Sequence, residues 1–178
     1  MNKQQFWQLI EEARDQASNP NDGEAVAREA TALLASRPFE EIIAGEQVLW
    51  ELMVESYTNP LWAAAYLANG GCSDDGFDYF RGWLIAQGRE VFERVVADPD
   101  ALAELPIVQA SAAAGVDLEV ENMLVIAWNA HISATGDQLP TSPSTIRYRE
   151  LDPTWNFDFD DRDEMTRRLP GLAALHLE

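Results

Sequence analysis

Apolar residues recur every three or four positions along most of this chain, and that period restricts its fold more than any other feature. The first set comprises Phe6, Leu9, Ile10, Ala13 and Ala17. Residues at this spacing lie on one face of an α-helix, and that face is buried against other helices. The pattern predicts an all-α protein, built as a compact bundle of short and medium helices.

Turn and capping residues divide the apolar pattern into separate helices. The turn-forming run 19–23 follows the first helix, Thr58-Asn59-Pro60 begins a fourth, and Ser73 begins a fifth. Ser and Thr side chains accept hydrogen bonds from the first backbone N–H groups of a helix, and Pro is tolerated in its first turn. We expect Gly45 to bend or break the third helix. We expect a long helix from Asp117, as its cap, to Gly136.

The C-terminal part of the chain differs from the rest. Residues 137–161 contain three of the nine prolines, show little periodicity and include the only strand-like run, 145–149. Aromatic residues near the end of this segment alternate with polar ones, which is typical of an extended chain that packs aromatic rings onto a core. The sequence predicts a helical domain over residues 1–136. It predicts an irregular tail with a weak final helix over residues 137–178, packed on the same domain.

Acidic residues strongly outnumber basic ones. The chain has 31 Asp and Glu against 12 Lys and Arg, a formal charge of −19 at pH 7. Such a charge repels phosphate backbones and anionic lipids, so we expect neither nucleic acid nor a membrane as a partner. It attracts basic proteins, although solvation of the surface is a sufficient reason for it.

Several features predict a soluble, cytoplasmic protein. The N-terminal residues show no apolar signal core, and the apolar stretches are far shorter than the ~20 residues that cross a bilayer. Cys72 is the only cysteine, so no disulfide can form within the chain. A lone cysteine agrees with a reducing compartment.

The most distinctive stretch lies around the start of the predicted fifth helix. Asp74 and Asp78 are four residues apart and share one helical face, and Asp75 is on the neighbouring face. Carboxylates at this spacing can hold a divalent cation such as Mg²⁺ or Ca²⁺, or act as an acid and base pair. The alternative is structural: Ser73 caps the helix, and Asp74 and Asp75 complement its dipole. Asp78 or Asp75 would then pair with Arg81. The sequence leaves both interpretations open.

Two of the six tryptophans flank this acidic stretch. Trp62 precedes it and Trp83 follows it. A buried Trp usually finds a partner for its N–H, so tryptophans can rim a groove with one polar edge exposed. Trp62 and Trp83 are therefore candidate groove residues, and packing in the core is the alternative for each.

Familiar catalytic signatures are missing from the sequence. It has no Gly-x-Ser-x-Gly, Gly-x-Gly-x-x-Gly or His-Glu-x-x-His motif. The second acidic run, residues 158–164, departs from a calcium-binding loop at three positions. His131 lies on an apolar helical pattern and His176 near the end of the chain, so neither is a strong candidate for a catalytic base. These observations favour a non-enzymatic role.

Three short motifs carry a resemblance to a known family. They are Phe6-Trp7, Ser73-Asp74-Asp75-Gly76-Phe77 and Arg81-Gly82-Trp83-Leu84. The chain resembles domain of unknown function 4240, an uncharacterised bacterial family, from its start to about residue 130. The resemblance implies a helical fold. It implies no catalytic residues, because the family has no assigned activity.

Three hypotheses of function follow. The first is a non-enzymatic binding module that recognises a protein partner through an acidic, aromatic-lined face around Asp74, Asp75 and Trp83. The second is a metal-dependent enzyme in which Asp74, Asp75 and Asp78 hold the cation and the substrate is a small, for example phosphorylated, molecule. The third is a neutralising partner of a basic protein, which rests on the net charge alone.

Overall fold

The computed structural model describes residues 1–140 and 147–177, and over these ranges the protein is all-α, as the period predicts. Short 3₁₀ helices at Pro99–Glu104, Glu121–Val125 and Pro153–Trp155 connect longer elements. The described α-helices are α1 Lys3–Gln16, α2 Gly23–Ala35, α3 Phe39–Glu55, α4 Asn59–Ala68, α5 Asp74–Ala86, α6 Arg89–Ala97, α7 Pro106–Ala114, α8 Ile126–Thr135, α9 Arg162–Arg168 and α10 Pro170–His176.

Side-chain caps fix the starts of several helices. Asn2 and Gln5 form a reciprocal capping box at α1, and Asp22 accepts hydrogen bonds from two backbone N–H groups of α2. Thr58 caps α4, and Ser73 caps α5. Each cap satisfies a donor that would otherwise have no partner within its helix, worth about 1 kcal/mol.

The core is a continuous apolar cluster around α2 and α5. Helix α2 packs against α1 on one side and α8 on the other, while α3 packs against α8 and α5 against the 3₁₀ helix Glu121–Val125. The largest fully buried apolar side chains include Phe6, Ile10, Leu34, Leu49 and Phe80. These come from α1, α2, α3 and α5, so the helices share one core rather than pairing separately.

Two of the predicted helix boundaries are wrong. Helix α3 runs without interruption through Gly45, which is buried. A Cβ atom there would lie 3.4 Å from a Leu34 methyl group, an ordinary van der Waals contact, so Gly45 lies where α3 meets α2 and does not interrupt the helix.

The predicted helix from Asp117 is also wrong. Residues 116–120 have no helix, turn or bend; the 3₁₀ helix Glu121–Val125 follows, and then α8. The Leu118 N–H donates to Asn69 Oδ1 at 2.9 Å and the Val120 N–H donates to the Tyr79 carbonyl at 3.0 Å. In a helix capped by Asp117 these first-turn N–H groups would have no backbone acceptor within the helix, whereas here tertiary contacts satisfy them and hold the segment in a non-helical conformation. Gly136 ends α8 in the left-handed conformation, as predicted.

The described part of the tail is held by aromatic and polar contacts. The Arg168 guanidinium lies over the Trp155 and Phe157 rings, and the Tyr66 hydroxyl donates to Asp160 at 2.7 Å. Helix α10 packs against α4 and the 3₁₀ helix Pro99–Glu104, where Asp100 accepts two backbone N–H groups from the first turn of α10. In the strand-like run 145–149, residues 145 and 146 lie outside the described ranges and 147–149 form no strand.

None of the described helices combines the length and apolar character needed to span a membrane.

Stability should depend on pH through His176. Its Nε2 atom is buried without a hydrogen-bond partner among the described residues, and burial lowers the pKa of this imidazole from its usual 6.5. The unfolded chain therefore binds the proton more readily, so stability is lost as pH falls from 6.5 towards the lowered pKa. We expect the free energy of unfolding in urea to fall from pH 7.5 to 5.5. His176→Leu should flatten this dependence, and an unchanged slope would contradict the assignment.

Candidate functional site

The start of α5 has the geometry of a capped helix. Ser73 Oγ accepts a hydrogen bond from the Gly76 N–H at 3.1 Å. Asp74 and Asp75 occupy the first turn and are exposed. Carboxylates in this position interact favourably with the positive end of the helix dipole. The structural alternative predicted for Ser73, Asp74 and Asp75 therefore describes what these three side chains do within the fold.

Arg81 is the most unusual residue of the distinctive stretch, because its side chain is fully buried. Its Nη2 atom pairs with Asp78 Oδ1, Nη1 donates to the Met53 carbonyl, and Nε donates to the Phe77 carbonyl at 3.3 Å. A buried charge is costly unless it is paired and hydrogen-bonded, and here each of the three nitrogens has a partner. The Asp78 carboxylate is consequently held by Arg81.

Aromatic rings surround the Arg81 guanidinium. Its central carbon lies 4.5 Å from the ring centre of Phe77, 5.2 Å from Tyr57 and 5.5 Å from Tyr148. Trp62 stacks on Phe77 at 4.8 Å, and its indole N–H donates to the Cys72 carbonyl at 3.2 Å. We call this group the Arg81 cluster; its members are Arg81, Asp78, Tyr57, Phe77, Tyr148 and Trp62. Trp62 thus belongs to a packed aromatic cluster.

The structure does not bring Asp74, Asp75 and Asp78 together as a set of metal ligands. Among the described residues, no group of three or more Asp, Glu, His or Cys side chains is placed to hold a metal ion. Asp78 is engaged by Arg81, whereas Asp74 and Asp75 point to solvent from the first turn of α5.

The thiol of Cys72, which lies just before α5, is held in its neutral form. Cys72 is partly buried, and burial, followed by the Glu119 carboxylate, raises the pKa of its thiol to about 12. A reactive cysteine needs an environment that favours the thiolate. The surroundings of Cys72 do the opposite.

Trp83 lies at a different place, an open cleft between the start of α2, helix α7 and residues 116–120. The cleft has a volume of about 370 Å³. Its apolar lining includes Ile107, Val116 and Leu118 beside Trp83, which is itself almost fully buried. We call this feature the acidic cleft because of the charges described next.

Four carboxylates line the acidic cleft: Asp22, Glu24, Asp117 and Glu119. Of the described residues in the lining, none is Lys or Arg. Asp22 caps α2 and Glu24 accepts a hydrogen bond from Asn122, whereas the Asp117 and Glu119 carboxylates make no hydrogen bond with a described residue. Burial raises the pKa of Glu119, and the nearby Asp117 charge raises it further. The charge of Glu119 is therefore destabilised where it stands.

The wall of the cleft depends on a glycine of the distinctive stretch. A Cβ atom at Gly82 would lie 2.5 Å from the Val120 carbonyl oxygen, so only glycine lets residues 116–120 lie directly on α5. The helix predicted from Asp117 onwards does not reveal this wall, because residues 116–120 are not helical. The signal that points to it is the alternation of Val116, Leu118 and Val120 with Asp117 and Glu119.

Comparison with known families confirms the resemblance drawn from the three sequence motifs. The family model described as a protein of unknown function, DUF4240, matches residues 1–132. The chain belongs to this family. The DUF4240 match contains α5, the whole acidic cleft and the buried Phe6-Trp7 pair, whereas α9 and α10 lie beyond it. No curated protein and no solved structure matches the chain.

The free energies of unfolding of two variants can separate the roles of Asp78 and Asp74. Asp78→Ala leaves the buried Arg81 without a carboxylate, and because Asp78 is itself 36% exposed we expect a loss of about 2 to 3 kcal/mol, below the range for fully buried pairs. Asp74→Ala removes only a dipole interaction and should cost about 0.5 kcal/mol. Urea unfolding of both variants measures the difference. Equal losses would show that Asp78 does not stabilise Arg81.

Proposed function

We propose that this protein is a non-enzymatic binding module whose acidic cleft holds a basic segment of a partner protein. The observation that carries the proposal is the composition of the cleft: four carboxylates, no described cation, and an apolar lining around Trp83. Complementary charge and apolar contact together are what a basic, partly apolar segment would require.

The electrostatic part of the argument concerns Asp117 and Glu119. Their carboxylates are not engaged by a described side chain, and partial burial together with the Asp117 charge raises the pKa of Glu119, which disfavours its charged form. A Lys or Arg of the partner would compensate this charge. The formal charge of −19 on the whole chain would also attract a basic partner over a distance, and this attraction weakens with salt.

The apolar part of the argument concerns the residues between the carboxylates. Val116 is 60% exposed on the cleft wall, and Ile107 and Trp83 lie beside it. A small, wholly polar ligand would leave the exposed surface of Val116 and Ile107 in water, whereas apolar side chains of a peptide would cover it. A volume of about 370 Å³ is at the lower end of the range for ligand sites, enough for a few side chains.

Glu119 links the acidic cleft to the acidic face predicted from the sequence. Glu119 Oε1 lies 3.2 Å from where a Cβ atom of Gly76 would stand, so this carboxylate reaches the first turn of α5 that carries Asp74 and Asp75. The geometry supports this binding role better than the metal-dependent enzyme, which would need Asp78 for the cation while Arg81 holds it.

Charge reversal in the cleft should abolish the preference for basic peptides. The probe is a fluorescently labelled hexapeptide of alternating Lys and Val, with a Glu-Val hexapeptide as the negative control. We expect the double variant Asp117→Lys, Glu119→Lys to bind the Lys-Val peptide at least about tenfold more weakly in fluorescence anisotropy at low salt, a change of about 1.4 kcal/mol.

The matched control is the double variant Asp15→Lys, Asp137→Lys. Both residues are exposed, neither side chain makes an ion pair or hydrogen bond with a described residue, and the formal charge changes equally, from −19 to −15 (two units at each of two positions). This control should retain nearly the original affinity. If both double variants lose affinity equally, the peptide responds only to net charge and the cleft is not its site.

Affinity should also depend on pH through Glu119. Because its pKa is raised above 4.5, Glu119 takes up a proton before ordinary glutamates do as pH falls, and the neutral acid no longer attracts lysine. We expect affinity for the Lys-Val peptide to decline as pH falls towards the raised pKa of Glu119. Glu119→Gln should lower affinity at pH 7 and flatten the upper part of this decline. An identical pH profile in Glu119→Gln would contradict the role of this carboxylate.

A further inference from the structure

The backbone of the cleft wall indicates the conformation in which a partner segment would bind, an inference that rests on the proposed function. Residues 116–120, which we call the edge segment, are free of helix, turn and bend. From residue 117 to residue 120 burial alternates: Leu118 and Val120 are buried and Asp117 and Glu119 are exposed, whereas Val116 at the start of the segment is exposed on the cleft wall. This alternation with a period of two is that of a β-strand with one buried face.

The amides of the edge segment alternate in the same way. Those of Leu118 and Val120 donate to Asn69 Oδ1 and to the Tyr79 carbonyl, respectively. Successive amides of an extended chain point to opposite sides, so the Asp117 and Glu119 amides face away from these acceptors. The N–H and C=O groups of Asp117 and Glu119 make no hydrogen bond with a described residue.

A strand edge of this kind is a ready partner for another extended chain. Unpaired N–H and C=O groups in a row pair readily with an added strand, and pockets for alternate side chains then provide specificity. In the edge segment the open backbone groups border a cleft that already offers apolar contacts and carboxylates. Both requirements for strand addition are therefore present at one place.

We propose that the partner's basic segment binds in an extended conformation and pairs its backbone with Asp117 and Glu119. In an antiparallel arrangement each of these two residues exchanges an N–H and a C=O bond with the partner, which gives four backbone hydrogen bonds. Side chains directly opposite each other lie on the same face of the pair. Partner residues opposite Asp117 and Glu119 are therefore basic, and the residues between them are apolar and contact the lining of the cleft.

Amide hydrogen exchange of the full chain, measured by NMR with and without the Lys-Val hexapeptide, tests this arrangement. In the free protein the Leu118 and Val120 amides should exchange slowly and the Asp117 and Glu119 amides rapidly. Saturating peptide should slow exchange at Asp117 and Glu119 by at least about tenfold, because they become strand donors.

Two N-methylated forms of the hexapeptide provide the matched control. One is methylated on every Lys amide and the other on every Val amide, so each blocks one edge of the extended peptide. The Lys residues lie opposite Asp117 and Glu119 and pair through their own N–H groups, so the form methylated on Lys should bind at least about tenfold more weakly. The form methylated on Val should bind like the parent, and the reverse order would contradict this register.

The outcomes separate this inference from the function on which it rests. Binding that Asp117→Lys, Glu119→Lys abolishes, but with unchanged exchange at Asp117 and Glu119 and equal affinity for both methylated forms, would leave the acidic cleft as the site and overturn strand addition. That result would indicate a helical or irregular occupant. No binding of the unmodified peptide would overturn both proposals.

Discussion

The arrangement of residues around α5 depends on the buried guanidinium of Arg81, which has no contact with solvent. Arg81 must find partners for its N–H groups inside the protein, because burying an uncompensated charge costs several kcal/mol. It finds them at the Met53 carbonyl near the end of α3, at Phe77 and Asp78 in α5, and against the rings of Tyr57 and Tyr148. The group therefore links α3, α5 and the tail through one side chain.

Three consecutive residues of α5 connect this buried group to the surface. Arg81 is surrounded by the other residues of the Arg81 cluster, Gly82 lies against the edge segment, and Trp83 lines the acidic cleft. Successive residues of a helix face different directions, so a single turn of α5 contacts the core, the cleft wall and the cleft itself. The acidic cleft is thus built beside a turn of α5 that is buried on its other sides.

Much of the fold could be predicted from local sequence. The apolar period, together with caps such as Ser73 and Thr58, indicates the helices because these signals act within a few residues of each other. The segment after Asp117 could not be predicted in this way. Its donors go to Asn69 and Tyr79, which lie some forty to fifty residues away in sequence, so no local pattern reveals that a helix is replaced there.

The candidate site, like the fold, could be predicted only in part from local sequence. The acidic stretch at Ser73 is visible in the sequence, and the hydrogen bonds show a helix cap beside an ion pair. The acidic cleft combines Asp22, Glu24, Asp117 and Glu119, residues separated by nearly one hundred positions. Only the packing of α2 and the edge segment against α5 brings them together, and the family match supplies no activity that would have directed attention to them.

The neutral thiol of Cys72 has a practical consequence for work on this protein. With a pKa of about 12, only on the order of one molecule in ten thousand carries the thiolate near pH 8. Maleimides and similar reagents attack the thiolate, so they should leave the native cysteine almost untouched. A second cysteine placed at exposed Ala114, on the rim of the acidic cleft, would then accept a spectroscopic probe selectively without prior removal of Cys72.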